Sequence, residues 1–420
     1  MTTISGGAVE RAGQRSKATA VYVLCVLGAL IEGYDLQAAG LAAPKYGPAF
    51  ALQSQQVGYT FTANTLGLFI GAVIGGRLAD RIGRRAVLIG SMAVFGVFSI
   101  GSALSGSFEV LTLMRLLTGV GLGGAMPNLI ALISESGSRD TIAMRVTMMT
   151  AAMPAGGALA GALVLSTDMS WQMIFHVGGW LPIGLALMML VALPESREYQ
   201  AAKQDRETGG DVVPASSVHA WFGEGRARAT LFLWVCMLGT LTALYLLLNW
   251  MPTLLVGKGF SRPEATLIAL TFSVGGALGA ILLGMAMKRL AALWLFVGVY
   301  IAMGLALWGL ALVERDLALA MLASLVAGVF VVGAQFLLYG LSPTLYPLSV
   351  RGTGVGGAIA VGRIGAVLGP LAAGQILAAG YGASAVIYAL IPIIALALLA
   401  AIGLLAGRGA EPVKPAAAVG

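Results

Sequence analysis

Twelve stretches of about twenty or more mostly apolar residues, separated by short polar breaks, leave this chain few ways to fold. They lie near 19–42, 56–79, 86–104, 110–134, 142–166 and 171–193, and after a polar gap near 229–254, 263–287, 291–313, 316–345, 352–379 and 383–406. A helix needs about 20 such residues to cross the hydrocarbon core of a bilayer. Within lipid the backbone must satisfy its own hydrogen bonds, which a helix does. The pattern therefore predicts an all-α membrane protein with twelve transmembrane helices. Composition agrees: 10% of the residues are charged and the mean hydropathy is +0.90, where a soluble domain carries roughly a quarter charged residues.

The net charge of +7 does not point to nucleic acid, because the basic residues stand singly between apolar stretches instead of forming a run. Apart from Arg115 and Arg363, which fall inside spans, nineteen Lys and Arg lie on one side and four on the other, namely Lys45, Lys258, Arg262 and Arg315. By the positive-inside rule both termini are expected in the cytoplasm of a bacterial inner membrane protein. The polar, basic start reads as a cytoplasmic tail and not as a cleaved signal. Cys25 and Cys236 sit in apolar segments and read as inert buried thiols, and two His cannot build a metal cluster. No metal, cofactor or catalytic set is expected, so an enzyme is not expected either.

The strings GVGLGGAMPNLIAL from Gly119 and GVFVVGAQFLLYGL from Gly328 are related and lie half a chain apart. Together with the polar gap they predict a tail over 1–18, a six-helix bundle over 19–193, a linker over 194–228, a second bundle over 229–406 and a tail over 407–420. Two related bundles about an axis along the membrane normal, with a site between them at mid-depth, is a transporter's architecture. The segment Gly71-x-x-x-Gly75-Gly76-Arg77-Leu78-Ala79-Asp80-Arg81-Ile82-Gly83-Arg84-Arg85 ends the second span. Its glycines allow close helix approach, and an Asp among arginines can pair with a neighbouring helix end. It resembles the loop signature of the major facilitator superfamily, whose Asp and Arg latch the cytoplasmic side in one state. The segment read as its counterpart, Gly275-x-x-x-Gly279 through Lys288, has no Asp, so the latch is expected to be asymmetric.

Ionisable residues at membrane depth are costly and mark function by default. Four stand out: Glu32 and Asp35 in the first span, Arg115 in the fourth and Arg363 in the eleventh. At 1.5 Å per residue, Asp35 lies roughly 10 Å and Arg115 roughly 8 Å from the outer ends of their spans, so the two can meet at one level. Glu32 and Arg363 both fall roughly 17–20 Å from the cytoplasmic side. Glu32 and Asp35 share a helical face, and a carboxylate near a shifting Arg has a state-dependent proton affinity. The alternative, a static Asp35–Arg115 pair that supports packing, stays open. Arg363 stands among Gly362, Gly365 and Gly369, and its planar fork suits a carboxylate. Asn128, Asn249, Gln335 and Tyr339 either read substrate polar groups or bond between helices. Tyr245, Trp250 and Phe272 either stack on an aromatic ring or form an interface belt.

Glu32-Gly33-Tyr34-Asp35 followed by LQAAG resembles the first-span signature of the aromatic acid:proton symporters, with Glu where that family usually has Asp. RLLTGVGLGGAMPNLIAL with Glu135 after it, PES at Pro194, NWMPTLL at Asn249 and YPLSVRGTGVG followed by GRIGAVLGP match as well, over nearly the whole chain. The wording is similar to that of bacterial 3-(3-hydroxyphenyl)propionate transporters. The resemblance implies proton coupling through Glu32, Asp35, Arg115 and Glu135. Arg363 and Arg115 are the expected substrate contacts, and the side chains Asn128, Asn249, Trp250, Gln335 and Tyr339, read from their place in apolar runs, are further candidates. It places gating at Asp80, Arg84, Arg145, Lys288 and Arg351. The expected function is proton-coupled import of aromatic carboxylates by a monomer, with no cofactor; partners are the acid, the proton and membrane lipid. A drug or metabolite exporter of the same fold, or a receptor that binds such acids without moving them, remains the alternative.

Overall fold

The computed structural model describes residues 3–136, 139–196, 199–200, 217–287, 289–347 and 350–406. The first six spans are α1 (Thr3–Ala49), α2 (Ser54–Ile82), α3 (Arg84–Ala103), α4 (Phe108–Ser136), α5 (Arg139–Thr167) and α6 (Trp171–Ala192). A short helix, α7 (Ser217–Phe222), precedes α8 (Ala227–Gly257), α9 (Arg262–Ala286), α10 (Ala292–Leu312) and α11 (Leu317–Leu341). A 3-10 turn (Ser342–Leu345) leads to α12 (Arg351–Ala378), and the last span is broken into α13 (Ala383–Tyr388) and α14 (Leu390–Leu405). Twelve of these stretches are long and apolar enough to cross a membrane, so the chain is a multi-pass membrane protein.

Most span ends fall within three residues of the pattern in the sequence. The exception is α1, which runs to Ala49 through Pro44 and Pro48, seven residues past the expected end at 42. Local chemistry fixes other ends. Ser261 and Glu264 form a reciprocal capping box at the start of α9, satisfying two otherwise orphaned amides. Asp316 accepts from Leu319 N at 3.0 Å and starts α11.

The chain forms two compact units, one of Met1–Asp35, Leu66–Gly156 and Gln172–Val212, the other of Leu36–Thr65, Gly157–Trp171 and Val213–Gly420. Their divisions fall within α1, α2 and α5, after the first residue of α6, and in the polar gap. In the second unit the C-terminal end of α1 and the N-terminal end of α2 rest on helices of the second half. A Cβ on Gly40 would lie 2.5 Å from the Leu248 carbonyl oxygen, and the Phe61 ring meets Trp250 edge-on with centroids 5.3 Å apart.

Within each unit the repeat shows as matching backbone contacts. Cβ atoms on Gly67 and Gly71 would lie 2.0 and 2.1 Å from the carbonyl oxygens of Leu116 and Val120; on Gly275 and Gly279 they would lie 2.1 Å from those of Leu325 and Val329. Gly71 to Gly279 is 208 residues and Val120 to Val329 is 209, in line with the offset of the two related strings. This corrects the sequence-based match of Gly71-x-x-x-Gly75 to Gly275-x-x-x-Gly279 by one helical turn. Gly75 rests on Gly124, whereas Leu283 takes that place against Gly333. Leucine is accepted there because it meets the partner glycine with a flexible side-chain end instead of its backbone.

Candidate functional site

In the first unit α1 and α4 bring Asp35 and Arg115 together, as their depths predicted. Arg115 donates from Nη1 to Asp35 Oδ1 at 3.0 Å and from Nη2 to Oδ2 at 2.9 Å. Asp35 is 0% and Arg115 2% exposed. Such a parallel two-bond pair is the strongest geometry an ion pair can take, and burial demands it, since either charge alone would be stranded in a low-dielectric interior. The wall around the pair is also specific. Arg115 Cζ stands 5.0 Å from the centroid of the Phe175 ring, a cation–π contact. Tyr34 OH donates to the Ile174 carbonyl at 3.1 Å and Ser99 Oγ to the Phe175 carbonyl at 3.0 Å. Glu32 is buried one turn away on α1. Asn128 is buried too, and its Nδ2 donates to the Gly124 carbonyl at 2.8 Å within α4.

In the second unit Arg363 of α12 donates to the Tyr245 hydroxyl of α8, with its Cζ 5.6 Å from the Tyr245 ring centroid. Asn249 Nδ2 donates to the Tyr245 carbonyl at 2.7 Å. Trp250 is wholly buried and its Nε1 donates to the Pro370 carbonyl at 3.0 Å. Gln335 Nε2 donates to Tyr339 OH at 3.0 Å along α11, and Phe272 is buried on α9. An arginine fork, a phenol, two amides and an indole thus share one unit.

A third cluster lies at the Arg84 end of the first unit. Arg84 Nη1 donates to Glu135, and Ser196 Oγ donates to the same carboxylate at 2.7 Å. Glu135, expected among the proton-coupling residues, thus pairs with Arg84, expected among the gating ones. Glu195 accepts from Arg85 N at 3.0 Å, standing in for the cap that Gly83 lacks at the start of α3. Gly83 has φ +99°, and a Cβ there would lie 2.5 Å from Glu195 Oε2, so glycine is required on both counts. The carboxylate also faces a helix N-terminus, where negative charge is favoured. The linker expected over 194–228 therefore begins with docked residues, Glu195 and Ser196. Its later part carries Trp221, which donates from Nε1 to the Thr353 carbonyl at 2.9 Å. Glu195 and Ser196 belong to the PES string of the sequence, whereas Trp221 carries no signal there.

Among the other gating candidates, Arg145 Cζ lies 5.7 Å from the centroid of the Tyr22 ring and Arg351 begins α12. Lys288 and the Asp80 side chain lie outside what the structure describes. At the opposite ends of the spans Lys45 donates to Asp168 Oδ1 at 2.9 Å and to the Met169 carbonyl. That hydrogen bond, with the ammonium charge behind it, holds the Asp168 carboxyl below its ordinary value of 3.8. Nearby, burial pulls the Lys258 ammonium below its ordinary value of 10.5, and it donates to the Ala311 carbonyl at the end of α10 at 2.7 Å. The profile of the Major Facilitator Superfamily matches residues 25–356.

The chain belongs to that superfamily. Its members are transporters, not enzymes. The chain is 43% identical over 386 residues, covering 92% of its own length and 93% of the relative, to the 3-(3-hydroxy-phenyl)propionate transporter of Escherichia coli strain K12. It is 33% identical over 417 residues to the 4-hydroxybenzoate transporter PcaK of Pseudomonas putida, covering 91% of each. Among solved superfamily structures, the xylose transporter XylE from E. coli superposes with a TM-score of 0.74 at 16% identity, over 95% of this chain and 99% of that one. That likeness concerns the fold alone.

Proposed function

We propose that the chain imports aromatic carboxylates across the bacterial inner membrane by proton-coupled alternating access, as a monomer with both termini in the cytoplasm. The six-helix halves 19–193 and 229–406 act as its moving bodies, and 3-(3-hydroxyphenyl)propionate is the first substrate to try. The substrate class rests on the names of the relatives. The proton step rests on one observation, the buried two-bond Asp35–Arg115 pair. While Asp35 is ionised it occupies both terminal nitrogens of Arg115. Protonation weakens the pair and frees the guanidinium, so proton uptake and a change in the site become one event. Arg363, hydrogen-bonded to a phenol, supplies the planar fork for the substrate carboxylate. The Arg84–Glu135–Ser196 cluster serves as a cytoplasmic latch together with Asp80.

The test is uptake into proteoliposomes with an imposed inward proton gradient. Wild type accumulates labelled 3-(3-hydroxyphenyl)propionate uphill, whereas a receptor that only binds the acid gives none. Asp35→Asn mimics the protonated acid, so it exchanges internal for external substrate but gains nothing from the gradient. Gradient-driven accumulation by Asp35→Asn at the wild-type level would move the coupling role to Glu32.

A further inference from the structure

Two buried amides in the second unit have unused chemistry. Gln37 on α1 is 2% and Asn64 on α2 is 3% exposed, and no donor among the described residues reaches the side-chain carbonyl oxygen of either. Buried polar atoms are nearly always hydrogen-bonded in native structures, so each exception calls for a reason. Gln37 stands three residues before Gly40, on the helix face where Gly40 abuts the Leu248 and Asn249 carbonyls of α8. Spans one and seven cross the membrane in the same sense. Stepping back three residues along each from that contact sets Gln37 level with Tyr245, the partner of Arg363.

Asn64 reaches the same region from the other side. It stands three residues after Phe61, on the face that packs against Trp250. The hydrogen bond between Tyr46 and Thr60, 2.9 Å long, sets α1 and α2 antiparallel and in register. It brings Asn64 about level with Gly40, and therefore with Asn249. Two unsatisfied acceptors thus lie within about a helical turn in depth of Tyr245, the partner of Arg363, and of the Trp250 indole.

We propose that Gln37 and Asn64 are specificity-determining residues whose carbonyl oxygens share the one proton of the substrate's ring hydroxyl in a three-centre hydrogen bond while Arg363 holds its carboxylate. The inference rests on the reading that the cargo is an aromatic acid, and it adds which acids are preferred. An acceptor with no donor of its own selects a ligand that brings one. A site built in this way rejects the analogue lacking the hydroxyl, because binding that analogue leaves the buried oxygen unpaired.

The test uses the full chain in proteoliposomes and counterflow of labelled 3-(3-hydroxyphenyl)propionate, competed by the same acid or by 3-phenylpropionate. Wild type should prefer the hydroxylated acid by about tenfold or more. Gln37→Met and Asn64→Leu keep the side-chain shape and remove the acceptor; Gln37→Ala and Asn64→Ala replace them if either fails to fold. In the variants the preference should fall several-fold through weaker binding of the hydroxylated acid, with 3-phenylpropionate unchanged or improved. Equal loss for both acids, or an unchanged preference as expected if the amides merely hold buried water, overturns the proposal. A wild type that carries both acids without preference overturns it as well and leaves the proposed function standing. A wild type that carries neither removes the proposed function itself.

Discussion

Asp35 and Arg115 should behave as one energetic unit, and the structure gives the size of the effect. Both residues are buried and joined by two hydrogen bonds of 3.0 and 2.9 Å. Breaking such a pair by removing one partner costs about 3–5 kcal/mol, because the remaining charge is left uncompensated; replacing both partners with neutral side chains is close to neutral. Asp35→Asn and Arg115→Gln are each expected to lose about that amount, and the double variant to regain most of it. At an unfolding entropy of about 2 cal/mol/K per residue, a loss of 3–5 kcal/mol in a chain this long lowers Tm by about 3–6 °C. Thermal unfolding of the purified protein in detergent, followed by the fluorescence of its 7 Trp, measures all four forms. If the two single losses simply add in the double variant, the residues are not coupled and the pair cannot be the switch argued above.

Three further outcomes follow from the geometry. Arg363→Lys should weaken carboxylate binding by about tenfold or more, since a point charge cannot reproduce the planar fork; wild-type affinity by calorimetry would place the anion elsewhere. Glu135→Gln should slow transport while leaving substrate affinity intact if Arg84 and Ser196, which bond to it, act as the proposed latch; lost affinity in a folded variant would argue against that role. The Asp168 carboxyl is held below its ordinary value by Lys45, so the pair stabilises the fold above pH 3.8 and loses that effect as pH falls through the lowered value. Lys45→Gln should therefore be less stable than wild type at neutral pH, with the gap closing in acid; a gap that persists once the carboxyl is protonated would show that Lys45 acts through packing.

The sequence by itself determined the number and most ends of the spans, because a bilayer core imposes both a length and a polarity on every helix that crosses it. It also singled out the ionised groups at membrane depth as candidates, since a charge there is costly. Counting 1.5 Å per residue was enough to set Asp35 and Arg115 at one level. Depth carries no information about which side chains turn toward one another, and there the tertiary structure decided. The sequence names Glu135 as an acid of interest but not its partners, which folding supplies as Arg84 and Ser196. The register of the repeat was misread by a turn because glycines are plentiful, and only the carbonyl oxygens they rest on identify equivalent ones. The apolar pattern ends the first span near 42, yet α1 continues through Pro44 and Pro48 to Ala49, with Gly40 packed against α8 and Lys45 paired with Asp168. Gln37 and Asn64 resemble any polar residue in an apolar run. What sets them apart is a missing hydrogen bond, a property of the surroundings that appears only when every neighbour is in place.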